Sequence, residues 1–389
     1  RASRKFDPET LEYIIDPNSG KPLKDENGKV VIDPETGKPK KDPKTMQPYT
    51  VLDDIYEIEA LPETTEKEIA YKNFRREAIK PYRQMRMPKP DFVLCCNNIC
   101  NCMTKWYENI CRMRNIPLIM IDIPYNNTVD VHDTNVAYVR AQFDAAIHQL
   151  EELTGKKFDE KKFEHACENA NRTAKAWLRV CDYLQYKPAP YSGFDLFNHM
   201  ADVVTARGKV EAAEAFELLE KDLAEAVKEG KSTTPFPEKY RVMFEGIPCW
   251  PKLPNLFKPL KEHGVNVTAV VYAPAFGFVY NNMDEMARAY YKAPNSVCIE
   301  QGVDWREGIC RDNKVDGVLV HYNRSCKPWS GYMAEMQRRF TKDLGVPCAG
   351  FDGDQADPRN FNEAQYATRV QGLVEAMEAN QAKKEAEAK

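Results

Sequence analysis

The sequence predicts an α/β fold: two Rossmann-like or flavodoxin-like parallel-sheet lobes, the first incomplete, with a helical segment between them. Three observations carry this expectation. Short apolar runs alternate with amphipathic stretches toward both ends, the middle is helical throughout, and one strand-loop-helix-strand pattern occurs twice. The expected division is 1–134 for the incomplete first lobe with a turn-rich insertion at 15–50, 135–237 for the helices, and 238–389 for the second lobe. A chain of 389 residues is also too long for one ordinary core.

Residues 15–42 contain a near-repeat, IDPNSGKPLKD and then IDPETGKPKKD, whose Asp-Pro, Gly and Lys-Pro steps predict exposed turns without chemistry. A threonine cap and early glutamates start a helix within 64–85. Residues 92–96 read as a buried strand, followed by a loop of asparagines and cysteines, an aromatic helix, and a second buried strand at 118–123. Helices are expected at 135–153, 159–186, 193–207 and onward to Gly230. Stripes such as Val139, Phe143, Ile147 and Leu150 mark their core faces. Strands at 241–246, 266–272 and 315–322 then alternate with helices at 253–263, 283–292 and 297–313. An amphipathic helix at 333–344, a strand at 348–352 and a closing helix at 361–382 with a fraying end complete the chain.

Net charge of -4 supplies no general field for nucleic acid or an anionic membrane. No apolar run reaches transmembrane length, and none follows a basic start as in a signal peptide. The chain begins at Arg1 rather than methionine, so further sequence is expected upstream. Twelve cysteines on buried-looking elements fit a reducing cytoplasm, most of them acting as small hydrophobes, with Cys249 left undecided.

The duplicated pattern is where the chemistry concentrates. Asn97-Asn98-Ile99-Cys100 follows the first strand as Asn323-Arg324-Ser325-Cys326 follows the later one, and Asp122 matches Asp352. Loops at the carboxyl ends of parallel strands are where open α/β sheets hold ligands. Two such lobes facing each other would each present one thiol, able to hold a metal or an iron-sulfur cluster. The alternative is a local zinc site from Cys95, Cys96, Cys100 and Cys102, although CC-x-x-x-C-x-C lacks the paired C-x-x-C form and adjacent strand residues face apart. His321 lies close enough in sequence to Cys326 to support it. Phosphate-loop and G-x-S-x-G patterns are absent.

The runs NNICNCMTKWYENI, LIMIDIPYN, EGIPCWPKLPN, HYNRSCKPWSGY and FDGDQADPRNFNEAQ resemble the 2-hydroxyacyl-CoA dehydratase and benzoyl-CoA reductase family over essentially the whole chain. The resemblance implies a 4Fe-4S cluster held by three cysteines with one iron position open. Two of them carry over to Cys100 and Cys326, with Asn97, Asn98, Asn323, Arg324 and Ser325 around them. The third belongs to a segment upstream of the insertion, and no cysteine precedes Cys95. The implied reaction is reversible syn loss of water from (R)-2-hydroxyglutaryl-CoA to glutaconyl-CoA. An ATP-dependent iron-sulfur activator supplies one electron, so ATP is used by that partner and not by this chain. The electron turns the thioester carbonyl into a ketyl radical anion that expels the hydroxyl. A homologous beta subunit is the other implied partner. Aryl-CoA reduction within the same family and a non-catalytic zinc-binding or assembly subunit are the competing readings. Lys327 is expected either to steer CoA phosphates or to be an ordinary exposed lysine, and the DGDQADPRN loop to make partner contacts or a fold-stabilising network.

Overall fold

The computed structural model describes residues 64–79, 90–98 and 100–387. The near-repeat and insertion at 15–50 lie outside the described residues. The chain divides into two compact units, Arg1–Lys89 and Pro90–Lys389. In the first, helix α1 (Glu66–Ile79) begins as the sequence predicts. Thr65 Oγ1 accepts the Glu68 N–H at 3.2 Å while Glu68 Oε2 accepts the Thr65 N–H at 3.0 Å, satisfying two donors that the first helical turn leaves open.

The second unit carries two parallel sheets. One pairs β1 (Val93–Cys96) with β2 (Leu118–Ile121), Cys95 opposite Met120. The helix between them, α2 (Asn101–Arg114), stops at Asn115 in the left-handed conformation (φ 51°), and Ile116-Pro117 turns the chain into β2. Next come α3 (Asp133–Thr154), α4 (Glu160–Asp182), α5 (Gly193–Thr205) and α6 (Val210–Lys228). Ser192 and Asp195 form a reciprocal capping box on α5, and the Asp159 side chain caps α4.

The other sheet has the order β4-β3-β5-β6 and is built from β3 (Tyr240–Glu245), β4 (Val265–Val270), β5 (Gly317–Asn323) and β6 (Cys348–Gly353). Its crossovers are α7 (Leu253–Glu262), α8 (Met283–Tyr291), α9 (Ile299–Asp312), the single turn α10 (Lys327–Ser330) and α11 (Met333–Arg339). Residues expected to continue α11 instead form a π turn, Phe340–Leu344, ending at left-handed Gly345. The closing helix α12 (Glu363–Glu387) extends beyond the expected fray point and anchors through Tyr366, whose hydroxyl donates to the Leu256 carbonyl at 2.9 Å.

Every residue of β3 and β4 is buried, as strands covered by helices on both faces require. Strand alternation divides the apolar side chains into two cores. Val242, Phe244, Leu319 and Phe351 face a core shared with Trp177, Leu196 and Phe197 of the central helices. Met243, Val318 and Val320 face the opposite core, which contains Met333, Met336, Phe340, Cys100 and Cys326. That second core is where the site lies.

Candidate functional site

Cys100 immediately precedes α2 and Cys326 immediately precedes α10, so both thiols sit where a parallel strand has ended and a helix is about to begin. The loops carrying them are bonded to each other. The Cys102 N–H donates to the Ser325 carbonyl at 3.4 Å, and the Lys327 N–H donates to Asn101 Oδ1 at 3.1 Å. Both cysteines are nearly sealed from solvent, at 5% and 0% exposure. The two copies of the Asn-x-x-Cys loop therefore converge.

Burial is the main influence on both sulfurs. It raises the Cys100 thiol above its ordinary value, opposed by the Met103 N–H and the Gln355 side chain. The Cys326 thiol is pushed up to about 12 by burial, with the Trp329 N–H opposing. Each opposing N–H belongs to the third residue of the helix that follows, although neither sulfur makes a capping bond. Tyr272, within electrostatic range of both sulfurs, is held far above its usual range by burial, so it keeps its phenolic proton.

The asparagines fix the loops. Asn97 Oδ1 accepts the Ile123 N–H at 2.8 Å, and its amide donates to Asp122, tying the ends of β1 and β2. Asn98 donates to Ser296 Oγ at 3.3 Å. Asn323 Oδ1 accepts the N–H groups of Ser325 at 3.3 Å and Gln355 at 3.2 Å. Ser325 Oγ donates to Asp354 at 2.6 Å, and the exposed Arg324 guanidinium is engaged by Asp352 and Asn360. These five residues shape the loops rather than reach the sulfurs.

The side chain that does reach a sulfur is Gln355, whose Nε2 donates to Cys100 Sγ at 3.0 Å. It belongs to the DGDQADPRN loop, where the sequence pointed only to partner contacts or an Asp/Arg network. His321, expected near Cys326, turns to the other face of β5. Strand alternation puts it with Leu319, and its Nε2 lies 3.5 Å from Cys249 Sγ, while Nδ1 meets the Ile247 carbonyl at 2.5 Å. With Nδ1–H donating to that carbonyl, Nε2 is left to accept from the Cys249 thiol. Gly353 touches this pair so closely that a Cβ there would lie 2.7 Å from His321 Nε2. The loop bearing Gln355 needs that glycine to approach.

Beneath Cys326 lies a buried ion pair. Arg306 Nε is 2.9 Å from Glu245 Oε1, both side chains fully buried, and the Trp329 indole N–H donates to the same oxygen at 3.0 Å. Trp329 belongs to α10, so this pair anchors the turn that follows the cysteine. The four cysteines of the zinc alternative do not assemble. Cys95 turns to the Cys96 carbonyl, and Cys102 is exposed. Among the described residues no three His, Cys, Asp or Glu side chains are placed to hold a metal.

Residues 59–377 match the family model described as 2-hydroxyglutaryl-CoA dehydratase, D-component. The chain is 72% identical, over 99% of its length and 79% of the relative's, to (R)-2-hydroxyglutaryl-CoA dehydratase, subunit alpha, of Acidaminococcus fermentans. It is 56% identical to the (R)-phenyllactyl-CoA dehydratase alpha subunit of Clostridium sporogenes over 77% of this chain and 73% of that one. A subunit of the benzoyl-CoA reductase of Thauera aromatica is 26% identical, over 74% of this chain and 71% of that one. The match spans both cysteine loops and every strand described above, and the chain belongs to the 2-hydroxyglutaryl-CoA dehydratase D-component family.

Proposed function

We propose that this chain is a subunit of a cytoplasmic 2-hydroxyacyl-CoA dehydratase that removes water from (R)-2-hydroxyglutaryl-CoA to give glutaconyl-CoA. It works with a homologous subunit and an ATP-dependent iron-sulfur activator that delivers one electron. The observation that carries this reading is the meeting of Cys100 and Cys326 inside one core, from loops bonded to each other, in a chain 72% identical to the alpha subunit of an (R)-2-hydroxyglutaryl-CoA dehydratase.

The donor set fits two of the three thiolates that a 4Fe-4S cluster with one open iron requires; the family resemblance puts the third upstream of the turn-rich insertion, a stretch in which this sequence has no cysteine. When bound, such a cluster supplies one-electron chemistry and Lewis acidity. Cys100 and Cys326 would hold it, each releasing the thiol proton that burial now retains. Tyr272 and Trp329, packed edge to face at 5.8 Å, keep water from the sulfurs, and Tyr272 offers an O–H rather than a base. Lys327 is exposed beside Cys326 and presents an ammonium to the anionic thioester or its CoA phosphates.

Anaerobic reconstitution of the full-length subunit with its partner, activator and ATP tests the reading. Hydroxyacyl-CoA should yield the 2-enoyl product, and Cys100→Ala and Cys326→Ala should each lose the charge-transfer absorption. A ring-reduced product from aryl-CoA with no dehydration would reassign the activity. Colourless stoichiometric zinc retained by both variants would remove the cluster from the reading.

A further inference from the structure

We infer that Gln355 is a positioning residue for the redox site, donating a hydrogen bond to the Cys100 sulfur that raises the potential of the bound cluster. The inference rests on the cluster reading above, and its own support is a chain of bonds with a fixed sense.

Two backbone N–H groups, from Ser325 and Gln355, meet the same side-chain atom of Asn323, at 3.3 and 3.2 Å. Only the carbonyl oxygen can accept them, so the Asn323 amide is fixed with Nδ2 pointing the other way. Nδ2 then donates to Gln355 Oε1 at 2.9 Å. That in turn leaves Gln355 Nε2 facing Cys100 Sγ at 3.0 Å. Flipping either amide would bring donor against donor. The N–H of Ser325, in the Cys326 loop, thus sets the direction of a hydrogen bond given to Cys100.

The Gln355 backbone is held as firmly. Its carbonyl accepts the Trp250 N–H at 3.3 Å, and Asp354 Oδ1 accepts the N–H groups of Ala356 at 2.8 Å and Asp357 at 3.0 Å. Asn323 is 1% exposed, so its bonds do not compete with water. A donor fixed on a ligating sulfur favours the more negative, reduced state of an iron-sulfur cluster, and removing it lowers the potential.

Two substitutions separate the donor from the shape. Gln355→Glu keeps an oxygen for Asn323 Nδ2 and places a carboxylate oxygen against the sulfur; Gln355→Met keeps the volume and removes both polar atoms. The full-length subunit in its complex is reconstituted anaerobically with iron and sulfide and titrated by electron paramagnetic resonance, with iron and sulfide content measured in parallel. Both variants should take up wild-type amounts of iron and sulfide. Gln355→Met should shift the reduction equilibrium about tenfold toward the oxidised state, about 59 mV for one electron, and Gln355→Glu further. Normal uptake with an unmoved potential in both variants overturns the assignment of Gln355 alone. Loss of uptake in the variants but not the wild type also overturns it, since Gln355 would then be needed for assembly rather than tuning. Absence of uptake by every protein, wild type included, overturns the cluster reading and this inference with it.

Discussion

The two cysteine loops carry the same device in different settings. In both, an asparagine closing the strand uses its side-chain oxygen to take a backbone N–H from the segment after the neighbouring strand: Asn97 from Ile123, and Asn323 from Gln355. Asn97 is exposed at the end of a two-stranded sheet, where Leu94 is 49% exposed. Asn323 is buried in a four-stranded sheet, above a fully buried ion pair that anchors the turn after Cys326. The Cys326 loop is therefore the platform, and the Cys100 loop is held largely by what it touches there.

The sharpest way to break this comparison is to remove the platform's charge. Glu245→Ala leaves the Arg306 guanidinium buried without its partner, and denaturant titration should show a loss of about 3–5 kcal/mol. Replacing both residues with apolar side chains of similar size should restore much of that. If Glu245→Ala costs under about 1 kcal/mol, the anchor is not what stiffens this side.

A second effect belongs only to the platform. Burial lowers His321 to about 4, opposed by the Ile247 and Gly353 carbonyls and less by Asp354 and Asp352. The unfolded chain takes up the proton near pH 6.5, the folded chain only near 4, so stability is full above pH 6.5. It should fall by about 3 kcal/mol on acidification through that window, then level off. His321→Phe, which preserves stacking on Phe351, should flatten this part of the stability curve. A curve of unchanged slope would mean that His321 charges without cost.

The smallest effects set the two loop ends side by side. Asn97→Ala should cost about 1 kcal/mol and speed hydrogen exchange in β1 and β2 while leaving β5 protected. Arg324→Ala, which removes the solvent-exposed pair with Asp352, should cost less than about 1 kcal/mol. Equal loosening of both sheets by Asn97→Ala would show that they move as one body.

The alternation of elements and the doubled Asn-x-x-Cys pattern were legible because each depends on local periodicity and residue type. Strand alternation also shows in retrospect that His321 shares a face with Leu319 rather than with Val320 and Cys326. Gln355 was not legible. Nothing in Asp-Gly-Asp-Gln distinguishes a sulfur donor from a surface glutamine, and its role depends on Asn323, 32 residues earlier, being oriented by two backbone groups. The Glu245 and Arg306 pair was equally hidden, since two charged residues on separate elements look like solvated positions until folding buries both.

The bond between Asn101 and Lys327 spans 226 residues of sequence, which bears on when the site can exist. At about 5–20 residues per second, a ribosome needs roughly 10 to 45 s to make that interval. Throughout it the Cys100 segment has no counterpart to receive it. The thiols can meet only once three of the four strands of the larger sheet have been synthesised, so filling of the site comes late in the making of the chain.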